Sequence, residues 1–316
     1  MRKKVLLLIF ILILGFASLF KVYDYEKNKK RSYEVVVDLK KGKSLNRVFK
    51  ELGLEDSIFF KLFLKLEKES GKNIKAGYYE LNGEYSYKEI IEIMEEGREK
   101  YLVLTIPEGY SIKEIGRLLE KNGYGSTQGI ENALKEIKDF PYPTPNGNFE
   151  GYLYPETYYF SGVVTEKELV ERMLEEFLKK FPPEKYTNKN EFYKQLIMAS
   201  IIDREAQIGS EKPIMASVFY NRLKKGMKLA SDATVNFAYD YTKRRMYYKD
   251  LEIDSPYNTY KYKGLPPAPI SNPDEESVYA AMNPANTDYL FFVATGGGKH
   301  TFTRTYKEHL EVQRKK

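Results

Sequence analysis

An unbroken uncharged run from Val5 to Phe20 follows Arg2, Lys3 and Lys4 and stops at Lys21, with Val22 and Tyr23 extending it in amphipathic fashion. Bulky Leu19 and Phe20 stand after Ala17 and Ser18, where a signal peptidase needs small residues, so the run reads as an uncleaved signal anchor. It is slightly shorter than the roughly 20 residues of a bilayer span, a difference that Lys4 and Lys21 bridge by snorkelling. The basic start places residues 1–4 in the cytoplasm and the rest of the chain outside it, although the basic run from Lys27 to Arg31 pulls the other way. The division expected is a tail (1–4), a single transmembrane anchor (5–23) in the cell membrane and a linker (24–32).

Beyond the linker the pattern changes period. β-Branched Val35 to Val37 predict a strand, Leu45 to Leu52 and Phe59 to Leu66 two helices, and Ala76 to Tyr79 a short strand. Ser86 with Glu89 forms a capping box that opens a helix to Met94. This makes residues 33–104 a small α+β unit, similar in shape to the LysM-like carbohydrate-binding modules. The order strand, glycine, capped helix in Val37, Leu39, Gly42, Ser44, Leu45 and Val48 recurs 67 residues later in Leu104, Ile106, Gly109, Ser111, Ile112 and Ile115, which suggests either a duplication or the common look of any such turn. The prolines and the Asn-Gly pair between Pro141 and Gly147 predict a hinge at about 141–148. Next come a helix from Thr165 to Phe181, with Thr165 and Glu168 as its capping box, and a break at Pro182 and Pro183. Helices are expected over Glu191 to Gln207 and Ser217 to Leu229. From Tyr257 to Phe302 the chain lacks helical periodicity except around Glu275 to Met282, so long ordered loops are expected there. The fold class predicted is α+β: a transmembrane helix, a LysM-like module, and a mixed α/β region over 105–316 with long ordered loops.

Composition narrows the chemistry. A length of 316 residues calls for at least two domains. The net charge of +6 favours anionic surfaces, but lysines and glutamates alternate without an arginine-rich block, which argues against nucleic acid as a partner. The sequence contains no Cys, which excludes disulfides, thiolate nucleophiles and a lipoprotein anchor, and its 2 His, His300 and His309, argue against a multi-histidine metal site. No cofactor is indicated, and carboxylates, hydroxyls and amides are left to carry the chemistry.

Two acids lie near the end of the Glu191 to Gln207 helix. Glu205 stacks on Ile202, Ile201 and Met198, whereas Asp203 shares a face with Leu196, Ala199 and Ser200. A carboxylate against apolar neighbours loses hydration, so its pKa rises and it can stay protonated as a general acid. The plainer reading pairs Glu205 with Arg204 or a lysine on a solvated helix end. Asn221 and Arg222 on the next helix, then Ser231, Asp232 and Thr234, are sugar-binding residue types and equally ordinary capping residues.

Met198-Ala-Ser-Ile-Ile-Asp-Arg-Glu205-Ala, Ala216-Ser-Val-Phe-Tyr-Asn-Arg-Leu223, Gly226-Met-Lys-Leu-Ala-Ser-Asp-Ala-Thr-Val235, Tyr257-Asn-Thr-Tyr260, Gly264-Leu-Pro-Pro267 and His300-Thr-Phe302 together resemble the YceG-like (MltG) endolytic murein transglycosylases. Ile74 to Tyr78, Ile106-Pro-Glu-Gly109 and Glu150 to Tyr158 extend the resemblance along the chain. The family's catalytic glutamate falls on Glu205. The chain departs from the usual pattern at Asp203, where Glu is common, at Ala230 for Gln, and at Ala233 for Pro.

The resemblance implies endolytic cleavage of the β-1,4 bond between N-acetylmuramic acid and N-acetylglucosamine, leaving 1,6-anhydro ends without consuming water. Glu205 would protonate the bridging oxygen and then, as carboxylate, take the C6 hydroxyl proton. Glu150, Tyr154, Asn221, Asp232, Thr234, Tyr257, Asn258, Thr259, Tyr260 and His300 are the candidate substrate-binding residues, and Phe302 reads as core. Peptidoglycan strands and the cell-wall synthesis machinery, penicillin-binding proteins among it, are the expected partners. A hydrolytic muramidase would need a second carboxylate, for which Asp203, Glu150, Glu156 and Asp232 are the choices. A non-catalytic wall-binding protein would use the aromatic loops alone.

Overall fold

The structure, a computed structural model, describes residues 2–39, 52, 74–97, 101–161 and 164–315. Two compact units divide the chain, one of residues 1–103 with 159–163 and one of residues 104–158 with 164–316.

In the first unit, helix α1 (Arg2–Asn28) covers the apolar run. Its side chains from Ile9 to Phe20 are exposed, among them Phe16 at 74% and Leu19 at 67%. Among the described residues no helix is long and apolar enough to cross a membrane. The run begins at Val5, however, ahead of the first side chain described, that of Ile9. Strands β1 (Arg31–Leu39) and β2 (Gly77–Tyr85) pair antiparallel, with Val35 opposite Leu81 and Val37 opposite Tyr79. Alternation decides the faces: Val37 and Leu81 are buried while Val36 points to solvent. Both strands run longer than the apolar positions alone mark. Helix α2 (Tyr87–Glu96) carries the expected Ser86 and Glu89 capping box, and Gly97 ends it in the left-handed region. Ile90, Ile91 and Met94 close a core with Tyr23, Val37, Tyr79 and Leu81. The helices expected over Leu45 to Leu52 and Phe59 to Leu66 lie outside the described residues apart from Leu52, so of the first copy of the recurring pattern only Val37 and Leu39, in β1, are described.

The second copy is visible. Strand β3 (Tyr101–Thr105) leads through Gly109, at φ 72°, to helix α3 (Ile112–Asn122), whose N-terminus has a capping box of Ser111 and Glu114. Helix α4 (Thr127–Glu136), which periodicity does not mark, packs closely on it, because Gly116 leaves room where a Cβ would come within 2.6 Å of the Thr127 Cα. Strand β4 (Thr157–Ser161) pairs with β3. Residues 141–148 form a loop inside the second unit. Tyr142 is buried there, and its hydroxyl donates to the Phe181 carbonyl at 2.7 Å. Aromatic packing among Tyr142, Tyr152, Phe177 and Phe192 holds a segment whose prolines and glycine read as a hinge.

Helices α5 (Glu166–Lys180) and α6 (Lys189–Glu205) start at caps Thr165 and Asn188. Every residue of α6 from Leu196 to Ile202 is buried, so it is the central helix of the unit and delivers its last residue, Glu205, to the core edge. Helix α7 (Lys212–Lys224) begins earlier than Ser217 and stops well before Leu229. Pro213 fits its first turn, where no amide hydrogen is needed, and Gly226 at φ 64° turns the chain away. Helix α8 (Asp232–Ala238) follows, then helix α9 (Glu275–Met282) at the bounds its periodicity sets. The stretch expected to be loop as far as Phe302 contains a hairpin of β5 (Phe291–Gly296) and β6 (Lys299–Thr303), and helix α10 (Tyr306–Arg314) closes the described chain. The whole is a mixed α+β fold.

Candidate active site

The C-terminal end of α6 splits two acids onto two faces. Glu205 faces the loop before α8. The Ser231 hydroxyl donates to its Oε1 at 2.5 Å, and the Ala233 amide also bonds its carboxylate. Burial at the end of a helix whose preceding turns, with Met198, Ile201 and Ile202, are fully buried raises its pKa. The Ser231 and Ala233 hydrogen bonds and the nearby His300 ring oppose that rise, and the neighbouring Asp232 carboxylate adds to it. Arg204 does not neutralise Glu205. It ion-pairs with Glu114 at 3.3 Å, donates to the Gly109 carbonyl at 2.8 Å and lies over the Tyr241 ring at 3.7 Å.

The loop that brings Ser231 to Glu205 is tightly held. The buried Arg222 guanidinium donates to the Leu229 carbonyl and, at 2.7 Å, to that of Leu290. Ala230 sits at φ 49°, a left-handed conformation costly for a residue with a Cβ, and its amide donates to the Thr259 carbonyl at 3.1 Å. The Ser231 amide donates to Thr259 Oγ1 at 3.1 Å, and that hydroxyl meets Thr234 Oγ1 at 2.8 Å. Thr234 in turn donates to the Ser231 carbonyl at 2.7 Å. Thr234 and Thr259 are buried and thus set the loop's shape. Tyr260 extends from the same turn and donates to Asp232 Oδ1 at 2.7 Å, which fixes an acid that perturbs Glu205.

Asp203 faces the other way. Its side chain is 2% exposed, and Oδ1 accepts from Lys212 Nζ at 3.3 Å and from the Ser277 hydroxyl at 2.5 Å. Lys212 Nζ also meets Asp274 Oδ2 at 2.5 Å. Burial and the Asp274 charge raise the Asp203 pKa, while Lys212 and Ser277 restrain it. Gly109 explains the Ile106-Pro-Glu-Gly109 string, since a Cβ there would sit 3.1 Å from Asp203 Oδ2 and 3.3 Å from Arg204 Cδ.

The remaining sequence candidates scatter. Glu150 is buried, accepts from the Ile112 amide at 3.1 Å and from Asn272 Nδ2 at 3.1 Å, and burial lifts its pKa to about 8. It caps α3 from within the core. Asn221 spends its amide on the Thr287 and Tyr289 carbonyls at 2.8 and 3.1 Å, and the buried Asn258 on those of Leu251 and Ile253, both at 2.8 Å. These amides shape loops. Tyr257 packs on Phe237 and, with Glu150, lines a cavity of about 840 Å³. Tyr154 lines a second of about 530 Å³ with Glu108, Asp203, Lys212 and Asp274. Neither lining includes Glu205. Phe302 is half-buried against Tyr289. Sequence reasoning saw Ser231 and Arg222 only as residue types and had no signal for Lys212, Asp274 or Glu211.

Residues 37–315 match the YceG-like family. The chain belongs to that family. Within it, a Bacillus subtilis (strain 168) protein named endolytic murein transglycosylase is 36% identical over 329 residues, spanning 96% of this chain and 91% of that protein. A Streptococcus pneumoniae (serotype 2, strain D39) protein of the same name is 27% identical over 315 residues, covering 87% of this chain and 57% of its own length. A crystal structure of a putative YceG-like protein from Listeria monocytogenes superposes with a TM-score of 0.60 at 33% identity, over 90% of this chain and 99% of that one. The mixed α+β architecture is that of the YceG-like fold.

Proposed function

We propose that this YceG-like chain is a peptidoglycan lytic transglycosylase, a lyase that cuts within glycan strands, with Glu205 as its acid and base. The names of its relatives support the reaction class. The observation that carries the residue assignment is the Glu205 carboxyl itself, raised in pKa by burial yet gripped by Ser231 and Ala233, on a helix end pinned by Arg204. A protonated carboxyl donates to the glycosidic oxygen as the bond to C1 breaks. The carboxylate so formed then takes the proton of the C6 hydroxyl as O6 closes on C1 to give the 1,6-anhydro end, and Glu205 is returned protonated. A hydrolytic muramidase is the second reading, favoured by Asp232, whose carboxylate neighbours Glu205 and is held by Tyr260.

We further read α1 as a membrane anchor on the strength of its exposed apolar side chains, which water would penalise and a bilayer would accept. The catalytic unit would then act outside the cell membrane, where penicillin-binding proteins extend strands. A cut there would end strand elongation. Residues 33–104 fit a LysM-like module that holds glycan. N-terminal sequencing of the mature protein that began after Ala17 or Ser18 would exclude the anchor.

Glu205→Gln keeps volume and hydrogen bonding but moves no proton. Its cleavage of purified wall should fall by about 10² to 10⁴ or more while strands still bind. Mass analysis of the wild-type digest should find anhydro ends; reducing ends instead would establish the muramidase, and an active Glu205→Gln would remove the assignment.

A further inference from the structure

Glu211 lies in a short 3-10 turn (Gly209–Glu211) just past Glu205, and its carboxylate grips His300 twice. Oε1 accepts the His300 main-chain amide at 3.1 Å, and Oε2 meets ring Nδ1 at 2.8 Å, with the two side chains 14% and 8% exposed. The hairpin that carries His300 is also seated on this segment, since its tip residue Gly298 leaves no more than 2.8 Å between a would-be Cβ and Gln207 Oε1. A carboxylate only accepts hydrogen bonds, so Nδ1 must hold the proton. In the neutral ring the lone pair is then on Nε2. Nε2 has no hydrogen-bond partner among the described residues, and it is absent from the buried polar atoms left unsatisfied there, so it retains solvent access. The ring is near enough to Glu205 for a charge on it to be felt by that carboxylate.

We propose that Glu211 is a positioning residue that holds His300 as the Nδ1–H tautomer, so that Nε2 accepts a hydrogen bond from a hydroxyl or acetamido N–H of the glycan bound at Glu205. The identity of that donor rests on the glycan-cleaving reading; the tautomer does not. The sequence has only 2 His, so imidazole nitrogen spectra of the full chain, labelled at histidine and held in detergent, resolve the two rings. His300 should show a protonated Nδ1 and an unprotonated Nε2, and in Glu211→Ala it should move toward the Nε2–H form. Glycan KM should rise about 3- to 10-fold in Glu211→Ala with kcat nearly unchanged, the signature of a lost binding contact. His300→Gln, which offers an amide oxygen, should keep more affinity than His300→Leu. Glu205→Gln should retain both the tautomer and glycan binding, which separates this contact from catalysis. An Nε2–H tautomer in the wild type overturns the proposal even where Glu211→Ala fails to fold. So does an unchanged KM in a folded His300→Leu protein.

Discussion

Replacing Ser231 with alanine removes one hydrogen bond and little else. The residue is 1% exposed, its amide contact to Thr259 is a backbone one, and Arg222 and Ala230 still hold the loop. What goes is the hydroxyl that donates to Glu205 Oε1 at 2.5 Å. Hydrogen bonds to charged groups are worth about 1.5 to 3 kcal/mol, and one pKa unit is about 1.36 kcal/mol, so the Glu205 pKa should climb by about 1 to 2 units above its already raised value. The sign follows from which form is stabilised: the donated bond favours the carboxylate, so its loss favours the acid. A general acid must be protonated to act, and its deprotonation gives the alkaline limb of kcat/KM. That limb should therefore move to higher pH by the same 1 to 2 units in Ser231→Ala, with a lower plateau because a weaker acid donates less readily. Rates of anhydro-end release from purified strands across the pH range measure it. An unmoved limb, or one shifted to lower pH in a folded protein, would refute the reasoning.

Lys212→Met should destabilise the protein by about 3 to 5 kcal/mol, since it leaves Asp203 and Asp274 buried without a cation; denaturant melts that match the wild type would show the trio to be dispensable. Asp203→Asn should impair cleavage less than Glu205→Gln in matched assays, because Asp203 faces Lys212 and Ser277 rather than Ser231. Glu150, with a folded pKa of about 8 against about 4.3 when unfolded, binds its proton more tightly in the folded state. Its contribution to stability should fall as pH rises between those values, by at most about 1.4 kcal/mol per unit, and Glu150→Gln should flatten that part of the pH dependence in urea unfolding. Parallel slopes for the two proteins would count against it.

Local rules reach about one helical turn, and what lies within that reach was legible in the sequence. Ser86 with Glu89, Ser111 and Thr165 open helices, and Glu275 to Met282 keeps its bounds, because caps and apolar stripes act between residues three or four apart. The stacking of Glu205 on Ile201, Ile202 and Met198, hence its desolvation, follows from the same spacing. The partners that tune these groups did not. Ser231 meets Glu205 across 26 positions, Asp274 meets Lys212 across 62 and Glu211 meets His300 across 89. Those meetings depend on the path of loops that have no period to read. Glu150 and Asn258 illustrate the limit: polar residues in aromatic strings, read as substrate ligands, bind backbone groups, because a buried amide or carboxyl takes whatever orphaned backbone group the tertiary fold brings to it. The sequence by itself determined several helix caps and the apolar stripe on which Glu205 falls; only the tertiary structure decided that Ser231 would meet Glu205, Lys212 the Asp203 and Asp274 pair, and His300 the Glu211 carboxylate.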